Sequence, residues 1–447
     1  MSGNPSGVQA KRALLPLLAV NFIGTLGFSL VLPFLVYMVT RFGGNEVVYG
    51  LLGATYSFFQ LFGAPLLGRW SDRHGRRKIL FVTQVGTLLS WVIFLVTLSI
   101  PVTVLTQVSS GWLGSFTLTL PLLLLFFARA LDGSTGGNIS VATAYVVDLS
   151  SEKDQARNMS RMSLSTNLGF VLGPMIAGLL GATVLGERLP VLAAIAISLI
   201  GLAMIVLFLP ESRPSALDGP PCGSPTRRVM GKEPRDCYDQ QLASTKTGNE
   251  NRLSDLLKIE KLPVMFGLYF FIFLAFNIYY ASFPMHAAKA LNWKTEELGF
   301  FFSFAGVAMI IVQGPLLSAL IKRFSTALLF GVGSVFMVLS FSAYSITHDY
   351  AAYLAALLFA LGNGIMWPSY MAILAGLGPK DGKGAIQGFA AGIGSLASIT
   401  GLILGGFAYT RFGTMTFVFA GSIFLVCTAL AFYMPVIKPT PESPAAN

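Results

Sequence analysis

Two ionisable residues lie three positions apart inside a long apolar stretch, and their types and spacing could support proton chemistry. Arg129 and Asp132 fall within residues 117–147, where a helix would bring their side chains onto one face, one turn apart. If this stretch crosses a membrane, a charge there costs at least about 2.5 kcal/mol and is expected to face a cavity or a partner. Burial and the neighbouring guanidinium act on the carboxyl in opposite directions, so Asp132 is expected to exchange a proton near neutral pH. The alternative is a static ion pair that fixes helix packing.

The composition indicates a membrane protein. Hydrophobic residues make up 54% of the chain and charged residues 11%, whereas soluble domains carry about 25% charged residues. The mean hydropathy is +0.69. Because about 20 apolar residues are needed to cross the hydrocarbon core, a scan for such windows predicts twelve helical spans. These are residues 14–39, 47–67, 79–100, 117–147, 160–184, 189–210, 263–286, 297–321, 326–347, 351–377, 384–410 and 413–435.

The distribution of basic residues predicts how these spans are oriented. When the connecting segments are assigned alternately, with the N-terminus inside, 24 of the 30 Lys and Arg residues fall inside and five fall outside. This bias predicts a multi-pass protein of the cell membrane with both termini in the cytoplasm. It also explains most of the net charge of +10 without a nucleic-acid partner.

A polar segment divides the spans into two sets of six. Residues 211–262 are rich in Pro, Gly, Ser and charge, which is typical of a linker. The sequence therefore predicts an N-terminal bundle over residues 1–210, a cytoplasmic linker over 211–262, and a C-terminal bundle with a short tail over 263–447. The halves also share a weak repeat at an offset of 250 residues, APLL at 64–67 and GPLL at 314–317. Repeated halves with a substrate site between them are a transporter design.

The loop between the second and third spans is dense in charge and glycine. It resembles the signature loop of the major facilitator superfamily of membrane transporters, which reads G-x-x-x-D-R-x-G-R-[RK]. The matching positions are Gly68, Asp72, Arg73, Gly75, Arg76 and Arg77. The resemblance implies an all-α membrane protein with twelve helices in two pseudo-symmetric six-helix bundles, in which this loop latches the halves in the outward-facing state. The alternative is a loop that only fixes topology, although Asp72 and Gly75 are harder to explain in that way.

The region around Arg129 resembles a second motif of this family. The run Arg129-Ala130-Leu131-Asp132-Gly133 is similar to R-x-x-[polar]-G, with Asp132 where Gln is usual. In proton-coupled relatives the Arg of this motif takes part in the proton relay, which implies that role here. The stretch from Arg129 to residue 148 is also similar to the tetracycline-exporter branch of the drug:proton antiporters.

The fifth span contains small residues at four-residue spacing. Gly169, Gly173, Pro174 and Gly178 resemble the antiporter motif G-x-x-x-G-P-x-x-G-G, with Ala177 in place of one Gly. Within this family the motif is associated with exporters rather than importers. The alternative is the tight helix packing that small residues allow in membrane proteins generally.

The interiors of the spans hold polar and aromatic residues that are candidates for lining a substrate cavity, since ligand sites are apolar with a few placed polar groups. These candidates are Asn21, Thr25, Gln60, Asn167, Asn277, Tyr280, Gln313, Asn363, Trp367 and Tyr370. Each could equally be a packing residue.

The motifs and the composition together predict secondary active export of small amphipathic molecules, drug-like or tetracycline-like, in exchange for protons by alternating access. One alternative is an importer or facilitator of a polar nutrient such as a sugar or organic acid, which the 36 Phe residues disfavour. Another is a non-transporting membrane receptor. Neither a cofactor nor a metal is expected, and no catalytic pair indicates an enzyme. The expected partners are the substrate, protons and lipid, with the chain acting as a monomer.

Overall fold

The described residues of the first half contain eight helical segments and one β-hairpin. The computed structural model describes residues 7–30, 32–111, 113–136, 138–150, 152–211, 259, 261–377 and 383–431. The helices of this half are α1 (Gly7–Leu30), α2 (Leu32–Arg41), α3 (Glu46–His74), α4 (Arg76–Ser99), α5 (Leu120–Thr135), α6 (Asn138–Leu149), α7 (Glu152–Gly181) and α8 (Arg188–Phe208). Between α4 and α5, β1 (Val104–Ser110) pairs with β2 (Gly114–Thr119) in an antiparallel hairpin.

Seven further helices lie in the part of the second half that the structure describes. They are α9 (Leu262–Lys289), α10 (Thr295–Ile311), α11 (Leu317–Leu320), α12 (Thr326–Tyr344), α13 (Asp349–Leu377), α14 (Lys383–Phe412) and α15 (Met415–Ala431). A π-helical segment, Val312–Leu316, joins α10 to α11 and contains Pro315. Such segments widen the helix by one residue per turn and are frequent at functional sites.

Helix boundaries follow local capping chemistry. α3 begins after Asn45, whose side chain accepts a hydrogen bond from the Val48 amide, and α5 begins after Thr119, which accepts from Leu122 in the same way. α3 and α4 are separated by Gly75 alone, whose φ of +99° is a conformation that favours glycine. The basic loop is therefore a sharp turn between two long helices.

Each half packs mainly on itself, and the two halves meet along two seams. In the first half α7 and α8 pack on α1, while α3 and α4 pack on α5. In the second half α12 packs on α13 and α15, while α9 packs on α14 and α15. The seams between the halves are formed by α3 against α14 and by α7 against α10. The predicted all-α membrane fold with two helix bundles is confirmed.

The hairpin marks one side of the molecule. The Thr117 amide donates to the Gly43 carbonyl at 2.9 Å, and the Asn45 side chain donates to the Leu113 carbonyl at 2.7 Å, so the hairpin is fixed to the α2–α3 turn. We call this end the hairpin side, and the opposite end, which carries Gly75, the basic side. The distribution of Lys and Arg predicts that the hairpin side faces outward.

Several predicted spans differ from the helices that form. Within the described ranges, ten helices are long and apolar enough to cross a membrane; α15 is shorter, and the fourth predicted span is divided. Residues 117–119 of that span belong to β2. α5 ends because the Gly136 amide donates to the Gly133 carbonyl, three residues back instead of four, at 3.1 Å. The first predicted span overlaps both α1 and α2, and residue 31 between them lies outside the described residues. Most of the predicted 211–262 linker lies outside the described residues.

Candidate functional site

The two charged residues singled out from the sequence meet inside the first half. Arg129 and Asp132, both on α5 and both buried, approach to 3.4 Å between Nη1 and Oδ2. The Thr87 hydroxyl of α4 donates to the other carboxylate oxygen at 3.2 Å. Each oxygen of Asp132 therefore has a donor while the residue is ionised, as a buried carboxylate requires.

Aromatic rings hold the guanidinium of Arg129. Its Cζ atom lies 4.6 Å from the ring centroid of Tyr56 and 5.6 Å from that of Phe28. Cations are attracted to ring faces, and the attraction increases when the pair is desolvated. Gln60 fixes Tyr56, because its amide nitrogen donates to the Tyr56 hydroxyl at 3.0 Å and also to the Gly136 carbonyl at 3.2 Å.

Glycines allow the helices around this ion pair to pack closely. A Cβ added at Gly133 on α5 would meet the Tyr56 carbonyl oxygen on α3, and one added at Gly86 on α4 would meet Thr135 on α5. The position of the Arg129–Asp132 pair therefore depends on close contact between helix backbones. The sequence motif contains both the charged residues and the glycine that allows this contact.

Asp132 of this pair lines a cavity of about 180 Å³, which we call the acidic lobe. Two of the candidate cavity residues, Thr25 and Gln60, line it together with Asp132. The remaining lining residues are Gly24, Phe28, Tyr56, Thr87, Gly136, Asn138 and Phe170. Asp132 is therefore the only acid among the described residues of this lining. The other lining residues include groups that can donate hydrogen bonds to it or contact it with an aromatic ring.

A second cavity, of about 270 Å³, lies between the halves, and we call it the aromatic lobe. Four candidate residues line it: Tyr280, Gln313, Asn363 and Trp367. Gln313 belongs to the π-helical segment. The other lining residues are Phe170, Val171, Pro174, Tyr279, Phe302, Ala305, Gly306, Met309, Ile310 and Phe359. The lining holds no charged residue, and its aromatic faces suit flat apolar groups.

The remaining candidates form hydrogen bonds within or between helices. Asn21 donates to the Thr166 hydroxyl on α7 at 2.8 Å, and Asn277 donates to the Ser398 hydroxyl on α14 at 3.0 Å. Tyr370 donates to the Met265 carbonyl on α9 at 2.6 Å. These contacts give all three a packing role in this conformation. The side chain of Asn167 lies outside the described residues.

The glycine motif of α7 faces both halves. Gly169 and Gly173 lie against α1, where the Ser29 hydroxyl donates to the Gly169 carbonyl at 2.8 Å. Gly178 lies against Gly299 of α10, and a Cβ added at Gly178 would stand 2.8 Å from the Gly299 Cα atom. The motif therefore packs α7 within its own half at one end and across the seam at the other.

The basic loop is held by acids of the first half and by Glu211, which follows that half directly. Arg76 pairs with Asp72 at 2.6 Å and with Asp148 at 2.9 Å. The carboxylate of Glu211 accepts the backbone amides of Arg76 and Arg77 at 2.7 and 3.2 Å, at the N-terminus of α4, where negative charge is favoured. Glu211 was not among the predicted site residues, because it lies at the edge of the presumed linker.

Polar contacts join the two halves on the hairpin side. Lys289 of α9 pairs with Glu46 of α3 at 2.5 Å, and the Tyr37 hydroxyl of α2 donates to the Trp293 carbonyl at 2.7 Å. Together with the Gly178–Gly299 contact, they bring the halves together on this side. The conformation is therefore one in which the halves are closed on the hairpin side.

A third cavity, of about 460 Å³, lies on the hairpin side between α7, α8 and α10. Its lining includes Arg41, Glu187, Arg188, Lys294 and Glu296. Arg41 and Glu187 pair at 3.4 Å. Burial raises the pKa of the Glu187 carboxyl from its ordinary value near 4.5, and the Arg41 guanidinium opposes that rise without cancelling it.

Comparison with known proteins gives a consistent result. A sequence model of the Major Facilitator Superfamily matches residues 17–234 and 265–447. The chain is 25% identical over 432 residues to the tetracycline resistance protein, class C, of Escherichia coli, covering 94% of this chain and 96% of that protein. It is 26% identical over 413 residues to the Major facilitator superfamily domain-containing protein 10 of Bos taurus, covering 88% and 78%. The crystal structure of a D-xylose-proton symporter is similar in fold, with a TM-score of 0.70 at 16% identity, covering 98% and 99%.

Proposed function

The chain belongs to the Major Facilitator Superfamily, and from that premise we propose that it exports small amphipathic molecules in exchange for protons. Membership makes it a multi-pass membrane transporter and not an enzyme. The observation that carries the proposal is the buried Arg129–Asp132 pair, whose acid lines a cavity beside an aromatic one. A buried acid next to a cavity that could take a substrate is what an exchange of protons for substrate requires.

The aromatic lobe supports the proposed substrate class. Tyr280, Phe302 and Trp367 offer ring faces, while Gln313 and Asn363 supply the few polar groups. A sugar or an organic acid would need several convergent polar groups or a cation in this lining. Drug-like or tetracycline-like molecules, with a flat apolar body and a polar edge, are better matched. Tetracycline resistance proteins among the similar sequences favour the same class.

The proposed cycle uses Asp132 as the proton carrier. While ionised, the carboxylate is held by Arg129 and Thr87. Protonation removes the charge–charge attraction to Arg129, whose guanidinium then relies on the faces of Tyr56 and Phe28. A proton shifts the balance between two conformations only by its difference in affinity for them, and this change of partners supplies such a difference. Asp132 takes its proton from outside and releases it inside, where the substrate binds.

If the hairpin side faces outward, as proposed, its closure means that this conformation belongs to the inward-facing part of the cycle. The halves 1–210 and 263–447 would rock about the two seams, joined by the 211–262 linker. The basic loop, whose described ion pairs lie within its own half, would latch the halves in the opposite state. We further propose a monomer in the cell membrane with both termini in the cytoplasm.

The decisive experiment measures proton movement in proteoliposomes that contain a pH-sensitive dye. Tetracycline and a panel of lipophilic drugs are added to wild type, to Asp132→Asn, and to the control Asp349→Asn. Asp349 accepts a hydrogen bond from the Trp293 indole at the start of α13, and an asparagine can still accept it. We expect substrate-evoked proton flux in wild type and in the control, and none in Asp132→Asn. Substrate movement without proton flux, unchanged in Asp132→Asn, would instead favour a facilitator.

A further inference from the structure

One aromatic ring stands between the acidic lobe and the aromatic lobe. Phe170 of α7 lines both cavities, and its side chain is 42% exposed, so open space borders the ring. Phe28 contacts it edge-on, with ring centroids 6.1 Å apart at 85°. The same Phe28 ring lies under Arg129 and contacts the Tyr56 ring in a tilted arrangement, with centroids 4.9 Å apart. A continuous series of contacts therefore leads from Asp132 through Arg129, Phe28 and Phe170 to the aromatic lobe.

The backbone at Phe170 is weaker than elsewhere in α7. Pro174 lies four residues on and has no amide hydrogen, so the Phe170 carbonyl lacks its helical donor. Helices bend most easily at such positions. The side chain that separates the lobes is thus attached at the point where α7 is easiest to deform.

Neighbouring residues of α7 are fixed on both sides of this point. Gly169 and Gly173 lie against α1 in the same half. Val171 lies against α10, where a Cβ added at Gly306 would meet its side chain at 2.9 Å. A movement of α10 relative to α1, as the halves rock, is therefore transmitted to the segment that carries Phe170.

We propose that Phe170 is a movable partition between the proton site and the substrate site, an inference that rests on the proposed function. Ligands that fit the aromatic lobe leave the ring in place. Larger fused-ring amphipathic molecules displace it toward Phe28 and thereby disturb the rings that hold Arg129. Phe170 then sets the size of substrate accepted and links substrate binding to the state of Asp132. It is a positioning residue for the proton site.

The first test compares ligand size at equilibrium, in detergent, without any gradient. The probes are proflavine, with three fused rings, and rhodamine 6G, with the same number of fused rings and an additional phenyl ester. Binding is followed by quenching of tryptophan fluorescence, since Trp367 lines the aromatic lobe. Phe170→Ala should bind rhodamine 6G at least about tenfold more tightly, the lower end of the discrimination by size in apolar pockets, with proflavine little changed. Phe170→Trp should shift the preference in the opposite direction.

Phe419→Ala provides a matched control. Phe419 is also exposed, at 56%, and lies on α15, which contributes no described residue to either lobe. It should leave both affinities unchanged. An unaltered ratio of rhodamine 6G to proflavine affinity in Phe170→Ala would overturn the partition.

The second test measures protons released when rhodamine 6G, whose own charge is fixed near neutral pH, binds in weakly buffered detergent. Wild type should release protons and Phe170→Ala should bind the dye while releasing fewer. Full release in Phe170→Ala would refute the link to Asp132. Binding without release in wild type would refute the proposed proton exchange, while the size comparison would still decide whether Phe170 is a partition.

Discussion

Closure of the hairpin side depends on two glycines in contact across a seam, and this contact can be perturbed without touching either lobe. A Cβ added at Gly178 would stand 2.8 Å from the Gly299 Cα atom, closer than side-chain atoms normally approach. Gly178→Ala should therefore push α7 and α10 apart. The fold of each half should be retained, because the obstruction lies between the halves.

The size of the effect follows from overpacking. An extra carbon in a filled site costs about 1–3 kcal/mol. If this cost falls only on the state closed at the hairpin side, the ratio of open to closed protein rises by about 5- to 150-fold. Gly178→Val should lie at the upper end of that range.

A buried reporter cysteine measures this ratio. Val47 lies in the other seam, 3% exposed, close to Gly406 of α14. In a chain whose three native cysteines are replaced by serine, Val47→Cys should react with a membrane-impermeant thiol reagent only when the hairpin side opens. The reaction rate should rise with Gly178→Ala by the factor given above. Gly267→Ala is the matched control, because a Cβ added there has no described atom within 4 Å. Equal rates in wild type and Gly178→Ala would refute the reasoning.

Two further predictions concern charged residues. Arg129→Lys keeps the charge but loses the planar group over Tyr56, so proton-coupled transport in proteoliposomes should fall about tenfold, since ring contacts of a desolvated cation contribute about 1–2 kcal/mol. An undiminished rate would show that the charge alone suffices. For Glu187, burial raises the pKa of the carboxyl, so folding favours its protonated form. The stability that this preference contributes is fully present below about pH 4.5, the ordinary pKa of this carboxyl, and is lost as the pH rises through the pKa in the folded protein. Glu187→Gln should therefore raise Tm relative to wild type at pH 7 and lose this advantage near pH 4; a constant difference across that range would contradict it.

The ion pair could be predicted from sequence because its cause is local. A helix places Arg129 and Asp132 one turn apart, and a charge at membrane depth needs a partner, so their contact follows from spacing alone. The basic loop lies between the second and third long helices as predicted, but α3 and α4 extend into it until only Gly75 separates them. The twelve spans were largely recoverable because length and hydropathy suffice to recognise a membrane helix.

Other features depend on contacts that the sequence does not reveal. The hairpin at 104–119 was missed, although its β-branched residues and the glycines flanking its turn were visible, because the scan considered only helical spans. Phe170 lies inside the recognised glycine motif, but its role depends on which faces of α7 meet α1 and α10. Glu211 is distant in sequence from the loop whose amides it accepts. The relations of Phe170 and Glu211 arise from tertiary packing, so local spacing carries no signal for them.

The hairpin also has a practical consequence for imaging. Its bonds to Gly43 and Asn45 attach it to the turn that begins α3, and the Asn45 side chain also caps that helix, so the hairpin and the first half should move as one body. Residues 104–107 of β1 are exposed. An antibody fragment raised against this strand would be a fiducial marker on one half alone. Particle images aligned on that marker would show directly how far the other half rotates between conformations.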